Sequence, residues 1–555
     1  MKILSAAEMQ ALDRAMVEHY GVASSLLMEN AGRAVGDFLI RYYPEETRSG
    51  VFVVAGNGNN GGDGFVIGRT LKNAGVPVVV SCLKTVDELK GDARKSAEAY
   101  LKAGGQIIEL HDRAFGPRDL SELASAGVIV DSLYGTGFRG TLDGVSLSIV
   151  ETLNAICNTS AVPVVAVDVP SGLDASSGAV NGICVQADVT VSLHSLKPCH
   201  VLFPASAFCG EIFVADIGMN NDAEEFTEVK CELLTVHRIQ DVLFDSYLVS
   251  RDAHKGTRGR VLVIGGSLGY QGAPILSGRA ALVCGAGLVA LAVPRGMAAT
   301  VSVVHNELVS LPLADDGGEV LPAGLKQLEQ SISSWDALVL GPGLGTSESA
   351  KRIVEVTLAQ AKREDRPTVI DADALNIIAS NPQLRATLPE RAVITPHPGE
   401  AARLLACSTE QIQNDRLGAA SALVEAYGCT VVLKGARTII AEPGGEIAIN
   451  PAAVTTLATA GSGDVLAGLV ATLLARGANP PDAARAAVFI HGITGELVER
   501  ASHGPAGSSA ASLIEQVGFS LNHILGEGPA ERSLVKHVLG FRSSLRPDLA
   551  GEEEV

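Results

Sequence analysis

Residues 455–470 read TTLATAGSGDVLAGLV. An Ala-Gly-Ser-Gly turn at 460–463 runs straight into an apolar helix whose first acid is Asp464. Gly461 and Gly463 let the backbone approach a ligand with no Cβ in the way. The turn also delivers free N–H groups at a helix N-terminus, where the helix dipole favours an anion. A carboxylate beside a phosphate site repels the phosphate, yet it suits taking a proton from a hydroxyl that is about to attack phosphorus. On its own the stretch reads equally well as an ordinary turn, with Asp464 stabilising the helix dipole.

Context decides between the two. Upstream, Lys434-Gly435-Ala436-Arg437-Thr438 lies between runs that predict strands at 430–433 and 438–441. Two cations and a hydroxyl in a tight turn suit the phosphates of a nucleotide. Earlier, TPHPGE at 395–400 follows a predicted strand at 392–395, which puts His397 at a strand's C-terminal end. Ligands of open parallel sheets sit at that end. One such loop is unremarkable, but three at successive strand ends predict a site.

The chain of 555 residues is too long for one core and should divide into two or three domains. Hydrophobic residues make up 47% and aromatics only 4%, so the cores must be built from Val, Ile, Leu and Ala. Sixty glycines suit the many tight loops of an α/β nucleotide-binding protein. A formal charge of −19 argues against nucleic acid or an anionic membrane as partner. The nine cysteines are scattered, which argues against zinc and a disulfide framework and fits a reducing cytoplasm. The N-terminal residues meet acids almost at once and lack the apolar core of a signal peptide. The apolar stretch 280–294 is too short to span a bilayer.

Read in order, residues 1–45 predict two helices broken at Gly21. A strand at 51–55 feeds a nine-residue loop, GNGNNGGDG at 56–64, and a helix at 65–74 and a strand at 76–81 complete a βαβ unit. Asn oxygens and backbone carbonyls of that loop suit a hard cation, and its N–H groups suit a pyrophosphate. Strands at 128–131 and 164–169 end in DSLYGTGFRG and DVPSGLD, carrying Asp131 and Asp168. Either acid alone could cap a helix. Three polar strand ends together predict a ligand crevice along one sheet edge. Residues 219–240 form the expected boundary, after which strands near 260–264, 288–293, 337–340, 368–370, 392–395 and 430–433 predict a second α/β domain. A helix is expected at 273–284, although Pro274 and Ser277 stand where small apolar residues are expected. From about residue 527 the pattern decays into an expected mobile tail.

These motifs, with LLMENAG at 26–32, HKGTRG at 254–259, GPGLG at 341–345 and DADALN at 371–376, give the chain a close resemblance to the bifunctional NAD(P)H-hydrate repair enzymes. The resemblance covers all but the tail. It implies a Rossmann-like epimerase domain over residues 1–225 and a ribokinase-like, ADP-dependent dehydratase domain over 230–526. In the first, Asn59, Asn60, Gly61, Gly62 and Asp63 would line the hydrate site with Gly135, Thr136, Gly137, Phe138, Arg139, Gly140 and Thr141. Asp168 would also contact the hydrate, and Asn60, Asp131 and Ser171 would hold K⁺. In the second, Ala273, Gly343, His397 and Asp464 would contact the hydrate. Lys434, Gly435, Ala436, Arg437, Thr438 and Gly463 would contact ADP, whose phosphates Mg²⁺ would bridge. Small-molecule substrates and a homo-oligomer are expected.

NADH and NADPH take up water across a ring double bond. Phosphorylating the resulting hydroxyl makes a leaving group, which gives a kinase-like fold a reason to perform a lyase reaction. Asp464 would remove the hydroxyl proton, and Asp168 would serve acid–base chemistry in the epimerase. A sugar or vitamin kinase would share the GSGD turn but leaves the first domain unexplained. A first domain acting only as a ligand-binding scaffold leaves Asp131 and Asp168 unexplained.

Overall fold

Short runs of Val, Ile and Ala become strands because branched side chains pack well on a pleated, buried surface. In the computed structural model these are β1 (Val51–Ala55), β2 (Val78–Cys82), β3 (Gln106–Glu109), β4 (Val128–Ser132), β5 (Val164–Val167), β6 (Val189–Leu193) and β7 (Glu211–Ala215). They lie in the order β7-β6-β5-β4-β1-β2-β3, every pair parallel. Along β1, Val51, Val53 and Ala55 join one apolar cluster while Phe52 and Val54 join another on the opposite face. Helices Ala6–Glu18, Ser24–Tyr42 and Asn59–Asn73 cover the first face; Pro117–Ser125 and Gly144–Thr159 cover the second. The result is the three-layer, doubly covered sheet expected of parallel strands. The described residues are 1–110, 113–159, 162–220, 229–247, 254–504, 506–526 and 535–539. Two compact units divide the chain between Val229 and Lys230, except that Val535–Leu539 belongs with the first and Met1 with the second.

The second unit holds β8 (Cys231–Leu233), β9 (Arg260–Ile264), β10 (Leu288–Pro294), β11 (Val309–Leu313), β12 (Asp315–Asp316), β13 (Glu319–Val320), β14 (Ala337–Leu340), β15 (Thr368–Ile370), β16 (Ala392–Ile394), β17 (Thr430–Leu433), β18 (Ile439–Ala441) and β19 (Ile447–Ile449). Its sheet runs β11-β10-β9-β14-β15-β16-β17-β18-β19-β8, with β12 and β13 forming a separate hairpin. Pairing is parallel from β11 to β17 and antiparallel through β18 and β19. One face is buried by Gly272–Val283, Ser462–Ala475, Pro480–Ala501 and Ala510–Leu525. Pro274 is no obstacle to the first of these, because a first-turn residue needs no N–H partner. Ser277 is fully buried where this helix crosses the next, and a Cβ at Gly468 would lie 2.2 Å from the Ser277 carbonyl oxygen. Small residues set how closely the two helices approach.

Two expectations need correcting. The 56–64 segment is not a loop throughout, because the following helix starts at Asn59 rather than at Phe65. Its glycines serve close packing: a Cβ at Gly61 would lie 2.0 Å from the Gly56 carbonyl oxygen, and one at Gly64 would lie 2.2 Å from Ser132 Oγ. Within the expected tail, Val535–Leu539 forms a strand, β20, parallel to β7; the rest of 527–555 lies outside the described residues. No helix among the described residues is long and apolar enough to cross a membrane.

Each unit buries its own apolar clusters, so cutting the chain near residue 228 should yield two pieces that fold separately. Circular dichroism and thermal melts check this; a piece without a cooperative transition would show that the units share a core.

Candidate functional site

β1, β4 and β5 are neighbours, so the three polar segments that follow them meet at one sheet edge. Asp131, the fourth residue of β4, is fully buried and receives the Ser171 N–H at 2.8 Å and the Ser171 hydroxyl at 2.6 Å. Burial pushes its carboxyl up to about 6 although the Ser171 bonds pull it down. Ser171 Oγ in turn accepts the Tyr134 N–H at 2.9 Å. Asn60 closes the group, since a Cβ on Gly135 would lie 3.2 Å from its amide oxygen, and the buried Asn60 amide nitrogen has no hydrogen-bond partner. Oxygen donors from three segments around a buried carboxylate fit a weakly hydrated monovalent cation. An amide turned over would present its oxygen. Segment 135–141 forms an outer rim: Arg139 donates to the Thr136 carbonyl at 3.0 Å and lies 3.7 Å from Asp174, while Phe138 stacks near Tyr134. Thr136, Gly137, Gly140 and Thr141 lie on this rim.

Asp168 sits at the end of β5 with φ +65, an unusual backbone for a residue with a Cβ. One of its oxygens, Oδ1, accepts both the Lys197 ammonium and the Leu193 N–H. Its backbone oxygen meets His200 Nε2 at 2.8 Å. Asp63 feels burial first, then the charges of Asp168 and Asp13, and its carboxyl is pushed well up. Asp13, although open to solvent on one side, is pushed to about 6 by burial and by Asp168. Three carboxyl groups therefore share one field around one buried ammonium.

In the second unit, β14, β15, β16 and β17 are consecutive neighbours and end in Gly341, Asp371, the Thr395–Glu400 turn and Lys434. Lys434 Nζ donates to Asp371 Oδ1 at 2.7 Å and lies 3.7 Å from Glu400. It also lies 3.4 Å from where a Gly463 Cβ would be, so the turn passes directly over the ammonium. The helix begins at Ser462, after Gly461 at φ +88, which puts Asp464 in its first turn. Burial raises the Asp464 carboxyl to about 7; Asp371 and Asp373 add to this and Lys434 opposes it. Glu400 is likewise raised to about 7, chiefly by burial. His397 caps the next helix, its Nδ1 accepting the Gly399 N–H at 3.0 Å. Burial and nearby Lys434 lower its pKa, so it is a neutral acceptor near neutral pH. Ala273 and Gly343 are adjacent, a Gly343 Cβ falling 3.2 Å from Ala273 Cβ. The Ala273 helix reaches the turn through Leu276, whose Cδ1 would be 2.6 Å from a Cβ on Gly461.

The 434–438 segment is braced from behind by Arg416, which donates to the carbonyls of Leu433 and Lys434 and is lowered to about 10 by burial. Thr438 Oγ1 donates to the Gly435 carbonyl at 2.9 Å, and Arg437 has φ +57. Gly435 and Ala436 are exposed. Behind the turn, the buried His491 has an orphaned Nε2 and is lowered to about 4 by burial and Lys434.

Sequence reasoning missed Asp371, Glu400, Arg416, Asp13 and Lys197. Asp371 and Glu400 could have been found, since each follows a strand inside a quoted motif. Arg416 lies in a helix, Arg416–Tyr427, remote in sequence from the loop it braces, and carried no signal. Asp13 lies on the first helix, Ala6–Glu18, remote in sequence from Asp63 and Asp168.

A family model described as NAD(P)H-hydrate dehydratase matches residues 261–517, and one described as YjeF-related protein N-terminus matches residues 24–199. A bifunctional NAD(P)H-hydrate repair enzyme of Moorella thermoacetica is 37% identical over 500 residues, covering 89% of this chain and 92% of that protein. The Escherichia coli enzyme of the same description is 34% identical over 486 residues, covering 88% and 87%. Among solved structures, an ADP/ATP-dependent NAD(P)H-hydrate dehydratase from Bacillus subtilis, co-crystallised with ATP and Mg²⁺, is 25% identical, with 53% of this chain and 98% of that one covered at a TM-score of 0.45. Identity at this level over 88–89% of the chain, with a family model matching within each unit, makes the chain a member of the bifunctional NAD(P)H-hydrate repair enzyme family.

Proposed function

We propose that the chain restores hydrated NADH and NADPH, with the second unit dehydrating one epimer at the expense of ADP and the first interconverting the epimers. The observation that carries this reading is the meeting of Lys434, the Gly463 turn and Asp464 at one sheet edge. Lys434 and the N–H groups at the start of the Ser462–Ala475 helix receive the phosphates. The ring hydroxyl attacks the terminal phosphorus while Asp464 takes its proton, and the nucleoside monophosphate leaves. The carbon–oxygen bond then breaks toward the new phosphate. The neighbouring ring carbon gives up a proton, and the double bond returns. When bound, Mg²⁺ supplies charge neutralisation across the phosphates. Ala273, at the start of its helix, and Gly343 and His397, after their strands, hold the ring. A carboxyl raised to about 7 is suited to a proton that must be accepted at neutral pH.

In the first unit, water sits on the carbon next to the ring nitrogen, because protonating an enamine leaves an iminium there. Epimerisation needs that carbon–oxygen bond broken, with a proton given to the departing oxygen, and water returned to the other face with a proton removed. Burial, and after it the charge of Asp168, raises the carboxyls of Asp63 and Asp13, so groups able to exchange protons lie within electrostatic reach of Asp168. K⁺ held by Asn60, Asp131 and Ser171 would offset the buried Asp131 charge and fix the loops that carry the rim. The nine cysteines, none in a disulfide, suit the cytoplasm.

Asp464→Asn should lower nucleotide-dependent dehydration by about 10²–10⁴-fold and leave epimerisation intact. Return of dihydronicotinamide absorbance measures this; a rate within a few-fold of the parent rules Asp464 out as base. In the parent, dehydration should rise as pH is raised through about 7, because only the ionised carboxyl accepts a proton. A flat profile between pH 5 and 8, in steps of about half a unit around that value, contradicts the assignment.

Asn60→Ala and Asp131→Ala should slow epimerisation and spare dehydration. If exchanging K⁺ for a bulky organic cation leaves the parent's epimerisation unchanged, the cation is not part of this site.

A further inference from the structure

Lys197 is the buried charge that the reaction above leaves unused. Its side chain is wholly inaccessible to solvent, in the segment that follows β6. Its three N–H bonds have three acceptors: Asp168 Oδ1, Ser192 Oγ at 3.2 Å and the Leu193 carbonyl at 2.8 Å. The segment itself is fastened at two points. Leu4 N–H donates to the Leu196 carbonyl at 2.9 Å, and Lys197 N–H donates to His200 Nδ1 at 3.1 Å.

Stability alone does not account for this arrangement. Burying an ammonium and a carboxylate costs several kcal/mol per ion in desolvation, and an apolar pair of similar volume is often as stable. Asp168 also occupies the left-handed region, an uncommon backbone for a residue with a Cβ. What the geometry does achieve is direction. Oδ1 is taken twice, by Lys197 and by the Leu193 N–H, while Oδ2 has no hydrogen-bond partner among the described residues. Two locked bonds to one oxygen fix the plane of the carboxyl and therefore the aim of the other. Asp63 on the Asn59–Asn73 helix and Asp13 on the Ala6–Glu18 helix both feel the charge of Asp168, and His200 holds its backbone.

We propose that Lys197 is a positioning residue for epimerisation: by holding one oxygen of Asp168 it presents the other to the hydroxyl of the hydrated ring. This rests on Asp168 exchanging protons with that hydroxyl. The ammonium neither touches substrate nor gives up a proton; all three of its hydrogens are engaged. Burial lowers the neighbouring His200 and His194 to about 3 and about 4, so near neutral pH neither adds a second positive charge that would draw Asp168 away.

The test uses the full chain at saturating K⁺. Lys197→Met keeps the stem and removes the charge, and should lower kcat for epimerisation by about 10²-fold or more with KM changed less than about three-fold. Dehydration by the same molecule should be unchanged, which also reports that the chain is intact. In Lys197→Ala, ethylammonium should restore kcat, whereas propanol, of similar shape and no charge, should not. A Lys197→Met protein at the parent's kcat, a loss appearing in KM rather than kcat, or equal rescue by propanol would each overturn the proposal. Should both variants fail to fold, Ser192→Ala removes one acceptor and leaves both charges. It should lower kcat several-fold at constant KM, and an unaltered kcat overturns the proposal. Asp168→Asn separates the underlying reading: if it epimerises at the parent rate, Asp168 is not the proton carrier, whatever Lys197 does.

Discussion

Both units depend on backbone passing over backbone where no Cβ can fit. At the end of β1, a Cβ on Gly56 would fall 1.9 Å from the Leu133 carbonyl oxygen, in the loop after β4. At the end of β9, one on Gly265 would fall 2.2 Å from the Pro342 carbonyl oxygen, in the loop after β14. Gly341 stands in the same relation to the Asp371 carbonyl oxygen, at 2.0 Å. Parallel strands leave their loops at one edge, and these contacts let neighbouring loops lie against one another. Side-chain oxygens and the Lys434 ammonium then converge on one spot instead of standing apart on separate turns.

Such crowding sets the electrostatics. A chain of net charge −19 could not gather phosphates by its overall field. Each site holds one lysine among carboxylates: the buried Lys197 with Asp168 in the first unit and the partly buried Lys434 with Asp371 and Glu400 in the second. Burial first, and then surplus negative charge, raises Asp13 to about 6 and Asp464 and Glu400 to about 7. Carboxyl groups in that condition exchange protons near neutral pH, which reactions at a ring hydroxyl require.

The parallel sheets and most strand ends were legible, because doubly buried strands read as unbroken apolar runs and the site residues follow them within a few positions. Short, mixed strands such as β3 and β8 escaped because they carry little periodic signal. The 56–64 segment misled for a definite reason. Glycine marks both a flexible loop and a helix that must pack without side chains, and only the neighbours at Gly56 and Ser132 distinguish the two. Lys197 was illegible for a similar reason: a lysine in a polar segment reads as solvated, and its ion-pair partner, Asp168, lies 29 residues away in sequence.

That two units share one chain, divided chiefly between Val229 and Lys230, has an outcome in the cell that neither fold dictates. Every ribosome that finishes the chain makes one copy of each activity, so their ratio cannot drift with promoter strength, message decay or selective degradation of one partner. Damage that arises as a mixture of two mirror-related forms at one carbon then always meets matched capacity for inverting and for removing it.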